Sequence, residues 1–503
     1  MSDVTALMLR AVSEQLKQQI VPNLTAADAI ERATLSIQVL EHLAADFDTL
    51  AQVAVDYTPE LRGRLTEALA SLPRETFPEL LDSWRSRLGE IAPETDLACQ
   101  REIRALRDLS SQILRTCADQ YDALPEGDTQ AAISTVAVSL GTQDKRLLDA
   151  VAAARSAQLN KGQGNNARQG TESATPASVD LTPEAVTAYL RRHYPDSPGI
   201  QATQVESIPG GRSKKTWFIS LENTEALPAD LVMRQDYQLH YEGTKVRDEY
   251  EPLLKFSGLG LPVPAPLLLE SEETSLGQPF LLMERLEGSP PGSYFGLRDK
   301  CPGAFADLAN TLAKIHQVNP AELGFTSDGA PEQSLSRLID SYQEKWRTNS
   351  NKPSPIIDYA YSWARQLCRQ GPGGVVVVHG DVGPHNMLVA NDRLTALLDW
   401  EFSHLGDPAE DLGIARVYAE DVMTWDEFIR LYREAGGPPV PERRIELAMV
   451  LHFLKGARLV AVSGRNFEEG WTSEFIKGAT AFSGLRQIEL IVASLLQRFK
   501  AIA

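Results

Sequence analysis

One stretch of this chain cannot contribute to a packed core. From Gln158 to Ser178 it reads QLNKGQGNNARQGTESATPAS, with no aromatic side chain and Leu159 as its sole large aliphatic. Apolar surface this sparse does not offset the entropy of ordering, so a flexible linker is predicted over 156–180. It separates a first part, 1–155, from a second, 181–503. A length of 503 residues accommodates that division, being too great for one ordinary domain.

Hydrophobic residues at 43% and charged residues at 23% are the proportions of a water-soluble globular chain. The net charge of −19 argues against a grip on nucleic acid and against adhesion to an anionic membrane. A phosphate site stays open, because a local pocket can be cationic inside an acidic protein. Cys99, Cys117, Cys301 and Cys368 form no C-x-x-C pair, which disfavours a disulfide framework or a zinc cluster and favours a reducing compartment. The N-terminus has an acid ahead of its short apolar patch, unlike a signal peptide. No apolar run approaches the roughly 18 residues of a spanning helix. A cytoplasmic protein without membrane or nucleic-acid partners is the expectation.

The first part reads as all-helical. Ile30, Ala33, Ile37, Leu40, Ala44 and Phe47 recur at spacings of three and four, with Thr25 placed as an N-cap. Phe77, Leu80, Leu81, Trp84, Leu88 and Ile91 repeat the stripe, as do Ile103, Leu106, Leu109, Ile113 and Cys117. Pro73, Pro93 and Pro125 punctuate them, giving a bundle of about five or six helices. Such a bundle could recruit a protein partner or self-associate. His42, beside Glu41 and Asp46, reads as a solvated helix face rather than a metal site.

The second part changes texture. Thr182-Pro183-Glu184 opens a helix, and Val205–Ile208, Thr216–Leu221, Leu231–Arg234 and Phe280–Glu284 are short β-type runs around a helix at Thr244–Phe256. From Phe305 helical patterns dominate, interrupted by the strand-like Gly374–His379 and Leu394–Asp399. The fold class is therefore α+β, with a small β-rich lobe at about 200–287, a larger helical lobe at about 288–503, and an all-α bundle ahead of both. Ligands favour clefts between lobes.

The chemistry concentrates in VVVVHGDVGPHNMLVANDRLTALLDWEFSHLGDPAEDLG, Val375–Gly413. Four valines make a buried strand, His379-Gly380-Asp381 leaves it, Asn386 follows five residues after Asp381, and a second short strand delivers Asp399. Two acids and an amide at strand ends suit phosphoryl transfer: one carboxylate takes the proton of the attacking hydroxyl, while the amide and the other carboxylate hold Mg²⁺. Turn residues flanking two core strands are the plainer alternative.

The H-G-D-x-x-x-x-N string with its D-W-E, G-D-P and D-L continuation resembles the aminoglycoside phosphotransferase/choline kinase-like family of small-molecule kinases. It is especially similar to the branch associated with acyl-CoA dehydrogenase-type enzymes. The resemblance covers about Ala202–Ala503 and implies a bilobal protein-kinase-like fold binding ATP, or another nucleoside triphosphate, with Mg²⁺. It implies Asp381 as catalytic base, Asn386 and Asp399 as metal ligands, and Asp407 and Asp411 as loop anchors. His379 supports the loop, and His316 belongs to packing.

Upstream, Gly210, Gly211 and Ser213 resemble a phosphate-covering loop, although a Gly-Gly pair between strands is also an ordinary hairpin turn. Arg234 stands where protein kinases carry a phosphate-pairing lysine, with Glu249 as its acidic partner; a surface ion pair is the alternative. Met283, Glu284 and Leu286 resemble the strand and hinge that meet the adenine. A hydroxylated small molecule is the implied acceptor. Arg443, Arg444, Lys455, Arg458 and Arg465 tilt it towards a neutral or anionic compound such as a hydroxyacyl-CoA. An aminoglycoside-type antibiotic kinase, and a nucleotide-binding pseudokinase or scaffold, are the competing readings; D-W-E in place of D-F-G keeps the latter open.

Overall fold

The β-type runs form one antiparallel sheet. The computed structural model describes residues 9, 11–23, 27–92, 99–121, 124, 127–162, 181–208, 214–236, 245–321, 324–325, 331–350, 352–369, 373–469 and 475–502. Strands β1 (Gln201–Ile208), β2 (Lys214–Glu222), β3 (Asp230–Asp236), β4 (Pro266–Glu270) and β5 (Phe280–Glu284) pair in the order β1-β2-β3-β5-β4. Alternation along them sends successive side chains to opposite faces. Trp217, Ile219, Leu231, Met233, Phe280 and Leu282 pack with Val186, Tyr189 and Leu190 of a helix at Pro183–His193. Leu281 and Met283 point the other way, onto Val246, Leu253 and Phe256 of the helix Val246–Ser257.

In chain order the helices are α1 (Ala27–Ser71), α2 (Pro78–Glu90), α3 (Cys99–Tyr121), α4 (Asp128–Gly162), α5 (Pro183–His193) and α6 (Val246–Ser257). They continue as α7 (Pro302–Gln317), α8 (Ser334–Asn349), α9 (Pro355–Cys368), α10 (Ala409–Ala419), α11 (Trp425–Glu434), α12 (Glu442–Glu468) and α13 (Phe475–Arg498). Thr182 caps α5 as its sequence predicts, its hydroxyl accepting from the Ala185 amide at 3.2 Å. Small two-stranded ladders complete the fold: β6 (Gly292–Ser293) with β7 (Gly296–Leu297), β8 (Val376–Val378) with β11 (His404–Gly406), and β9 (Met387–Ala390) with β10 (Arg393–Leu397).

The chain divides into two compact units. One comprises Met1–Gly170, Ser336–Gly371 and Met449–Ala503; the other comprises Thr171–Leu335 and Pro372–Ala448. In the first, helical backbone over 11–23 and the four helices α1 to α4 stand among the described residues before position 163. Helix α1 continues for 45 residues through Pro59. Proline in a helix interior costs about 3 kcal/mol. Here Ala54, Leu61 and Leu65, on both sides of it, are 0–4% exposed, and their burial outweighs that penalty. Helix α4 runs to Gly162, into the stretch whose composition marks it as linker; 163–180 and Thr25 lie outside the described residues.

Buried charge ties this unit together. The Arg107 guanidinium donates to Asp144 Oδ1 at 2.7 Å and to Glu489 Oε1 at 3.0 Å. Glu489 also accepts from Ser354 Oγ at 2.6 Å, and Asp144 from the Ile356 amide at 3.1 Å. Arg115 and the Trp346 indole both donate to Asp358, at 2.8 and 3.0 Å. Among the described residues no helix is long and apolar enough to cross a membrane.

Candidate active site

All the site residues described below belong to the second unit. Strand β8 ends at Val378, and the chain turns sharply at Gly380, whose φ of +78° and 2.8 Å approach of the Phe402 carbonyl to a would-be Cβ demand glycine. Asp411, fully buried at the head of α10, accepts from the His379 amide and the Gly380 amide, both at 2.8 Å. His316 Nε2 lies 3.1 Å from the same carboxylate, and its Nδ1 is 2.7 Å from the Tyr432 hydroxyl. Burial pushes the Asp411 carboxyl up, but the His316 ring and the loop amides outweigh it and hold the group below its ordinary range. Asp411 thus fixes the turn from behind. His316 is buried like a core residue, yet it is polar-bonded on both nitrogens.

Burial holds His379 below its ordinary pKa, so its ring is neutral near pH 7. The Asp381 amide donates to Nδ1 at 3.2 Å, which puts the proton on Nε2, 3.0 Å from the Leu398 carbonyl. The Leu398 amide in turn donates to the Asn386 carbonyl at 2.8 Å. These bonds join the Asp381 loop to the residue just before Asp399.

Asn386 Nδ2 donates to the Asp381 carbonyl at 2.9 Å and to its Oδ2 at 3.0 Å. That commits the amide nitrogen and orients the carboxylate, so the amide oxygen is the atom able to face a cation. His385 Nε2 lies 3.4 Å from Asp381 Oδ2. Asn391 and Asp392, at φ 51° and 59°, form the tight turn that returns β9 as β10 and so delivers Asp399.

Asp399 itself is left-handed (φ 65°, ψ 62°). Such a conformation in a non-glycine residue persists where its surroundings over-determine it. Those surroundings are explicit. Trp400 is fully buried, its ring centroid 4.4 Å from His379 and 4.5 Å from Phe256 of α6. Arg234 Nη2 lies 3.1 Å from Asp399 Oδ1, and its Nη1 donates to Glu249 Oε1 at 2.5 Å. The Arg234–Glu249 pair is buried rather than on the surface, Glu249 being 1% exposed.

Three residues to which sequence reasoning gave no role, Lys214, Asp236 and Glu401, complete the cluster. Lys214, 1% exposed, places Nζ 3.1 Å from Glu401 Oε2 and 3.9 Å from Asp236 Oδ1. Arg234 and Lys214 therefore face Asp236, Glu249, Asp399 and Glu401, which is two cations against four carboxylates among the described residues. The imbalance registers in the acids. Burial, opposed by Arg234 and reinforced by Asp399 and Glu401, pushes Glu249 up to about 7. Burial and the Asp399 charge raise Glu401 as well. Arg234 Nε and Glu249 Oε2 are buried with no hydrogen-bond partner among the described residues. A buried acid excess beside orphaned polar atoms fits an anionic ligand that arrives with a divalent cation. Among the described residues no three His, Cys, Asp or Glu side chains form a metal cage by themselves.

The remaining candidates are placed otherwise. Met283 is buried on β5, opposite Val232. The Glu284 carboxylate accepts from the Ala265 amide at 2.8 Å, its own amide donates to the Ala265 carbonyl at 3.0 Å, and Leu286 is half-buried just beyond. Gly210, Gly211 and Ser213 lie outside the described residues. Asp407 pairs with Arg444 and caps the Ala409 amide at 2.9 Å, so it anchors the start of α10.

Residues 204–447 match the phosphotransferase enzyme family. The chain is 26% identical over 254 residues to acyl-CoA dehydrogenase family member 11 of Rattus norvegicus, covering 47% of this chain and 32% of that protein. It is 26% identical over 213 residues to acyl-CoA dehydrogenase family member 10 of Mus musculus, covering 40% of this chain and 19% of that protein. The chain thus spans a third or less of the length of these curated relatives. Among solved structures, a putative aminoglycoside phosphotransferase from Ralstonia eutropha superposes with a TM-score of 0.48 at 20% identity, covering 63% of this chain and 98% of its own. Choline kinase LicA from Streptococcus pneumoniae gives 0.43 at 17%, covering 60% and 98%.

Proposed function

We propose that this chain, whose residues 204–447 belong to the phosphotransferase enzyme family, moves the γ-phosphoryl group of ATP to a hydroxyl of a small molecule with the help of Mg²⁺. The observation that carries the reading is the buried acid excess around Arg234 and Asp399, joined through Leu398 to a loop that holds Asp381. In the proposed reaction Asp381 takes the proton of the acceptor hydroxyl as its oxygen bonds the γ-phosphorus; the β–γ bridging oxygen–phosphorus bond breaks and ADP leaves. Asn386, oriented by its own hydrogen bonds, keeps the Asp381 carboxylate aimed. Asn386 and Asp399 would hold the metal, which supplies charge neutralisation for the phosphates when bound.

Arg234 is the phosphate-pairing cation in this reading. Its fork is preset by Glu249, and a bidentate guanidinium suits that task. Gly210, Gly211 and Ser213 are assigned to the phosphates, and Met283, Glu284 and Leu286 to the adenine. For the acceptor, charge is no guide: Arg443, Arg444 and Arg465 are paired with Glu446, Asp407 and Glu469. Hydroxyacyl thioesters head the acceptors to test because the relatives that share this segment are named for acyl-CoA dehydrogenation.

The test is ATP consumption with Mg²⁺ across hydroxyacyl-CoA thioesters, aminoglycosides, choline and other hydroxylated metabolites, with Asp381→Asn as control. At least one acceptor should turn over about 100-fold or more above the control, the range expected for loss of a positioned base. Nucleotide binding with no acceptor turned over above Asp381→Asn would sink the kinase reading and leave a binding protein.

A further inference from the structure

Strand β2 opens on a lysine that is almost wholly buried, and a buried ammonium persists only where carboxylates surround it. Register places Lys214 opposite Asp236 and Thr216 opposite Arg234, so Lys214, Arg234 and Asp236 share one face of the sheet. Asp236 Oδ1 accepts from the Val246 amide at 3.0 Å and thereby seats the start of α6, the helix that carries Glu249. On its other side Lys214 meets Glu401, two residues past the left-handed Asp399. One ammonium therefore stands between the acid that seats the partner of Arg234 and the acid next to the proposed metal ligand.

We infer that Lys214 is a positioning residue of the nucleotide site: it holds Glu401, and through Glu401 the turn that presents Asp399, leaving Arg234 free to serve the phosphates. The inference rests on the kinase reading above. Without the ammonium, the Glu401 carboxylate, 4% exposed, stays buried beside Asp399. Arg234 is then the cation left in the cluster, and it already serves Glu249 and Asp399. Drawing it towards Glu401 removes it from the phosphates, and letting Glu401 swing away moves the Asp399 turn. Either way the nucleotide with its metal binds less well.

Calorimetric titration of the full-length chain with AMP-PNP and Mg²⁺ tests this, with thermal unfolding recorded for every variant. Lys214→Met should weaken binding by about tenfold, whereas Lys214→Arg, which restores the pair, should stay within about threefold. Adding Lys214→Met to Glu401→Gln should change affinity by less than about twofold, because the lysine then keeps only its longer 3.9 Å approach to Asp236 Oδ1 among the described carboxylates. A further tenfold loss in that double variant would instead make Lys214 a direct phosphate contact and overturn the positioning role. Unchanged binding by Lys214→Met would overturn it as well. Should Lys214→Met alone fail to fold, the comparison of the double variant with Glu401→Gln, in which the Glu401 carboxylate no longer needs the ammonium, still decides. Failure of the wild-type chain to bind AMP-PNP with Mg²⁺ is a different result, which brings down the nucleotide reading itself and this inference with it.

Discussion

The two units bury charge in opposite ways. In the first, Arg107, Arg115 and Arg486 are matched by Asp144, Asp358 and Glu489, three against three. In the second, among the described residues, two cations around β3 face four carboxylates. Burial penalises charge equally in both places, so the difference lies in what completes each set. The first set pairs every charge within the protein, although Asp358 Oδ2 and Arg486 Nη1 are buried without hydrogen-bond partners among the described residues, and it acts as a structural joint between α3, α4, α9 and α13. In the proposed function, the nucleotide with its metal completes the unbalanced set. Glu249, raised by burial to about 7, stands beside the left-handed Asp399, a combination that marks a candidate functional site.

The contrast predicts a division of mutational effects. Arg107→Ala strands Asp144 and Glu489, which are 3% and 4% exposed, and should remove about 3–5 kcal/mol of stability in urea unfolding. AMP-PNP affinity, measured below the unfolding transition, should hardly change. A loss under about 1 kcal/mol would show that the joint is not a joint. Asp399→Asn should do the reverse. Asparagine tolerates the left-handed backbone and relieves the acid excess, so unfolding should shift by less than about 1 kcal/mol while Mg²⁺-dependent turnover falls about 100-fold. Equal damage to stability in both variants would erase the distinction between the units.

Much of the second unit was legible because its signals are local. Period-two alternation marks the strands, Thr182-Pro183 marks a helix start, and the spacing of Asp381, Asn386 and Asp399 spans fewer than twenty residues. What stayed hidden depends on distant pairing. Lys214 and Glu401 are 187 residues apart, Arg115 and Asp358 are 243, and Arg107 and Glu489 are 382. No window along the chain contains both members of such a pair. Arg444 looked like available positive charge for the same reason, its partner Asp407 lying 37 residues away, whereas Arg443 and Arg465 meet Glu446 and Glu469 three and four residues on, within any window. Burial is hidden from the sequence too, and without it Arg234→Ala looks like a clean probe of nucleotide use. With Glu249 buried behind it, that change leaves an uncompensated carboxylate and destabilises the fold, so Arg234→Lys is the sharper variant.

The smallest expected effect separates the units by the sign of their pH dependence. On β11 of the second unit, the His404 ring Nε2 lies 3.1 Å from Glu410 Oε2 and its Nδ1 donates to the Phe402 carbonyl, 2.9 Å away. Burial pulls its pKa down, but Glu410 outweighs burial and lifts it to about 9. A base whose folded pKa lies above its unfolded value of about 6.5 contributes stability that is fully present below pH 6.5 and lost as pH rises through about 9. Lys352 in the first unit has the opposite shift, burial lowering it to about 8. The unfolded chain then holds that proton more tightly, so its contribution rises between about pH 8 and 10.5. In thermal melts from pH 6 to 10.5, His404→Gln should flatten the decline below pH 9 and Lys352→Met the recovery above pH 8. If His404→Gln left the decline between pH 6.5 and 9 as steep as in the wild type, Glu410 would not be holding a charged imidazole, and the second unit would owe its alkaline sensitivity to another group.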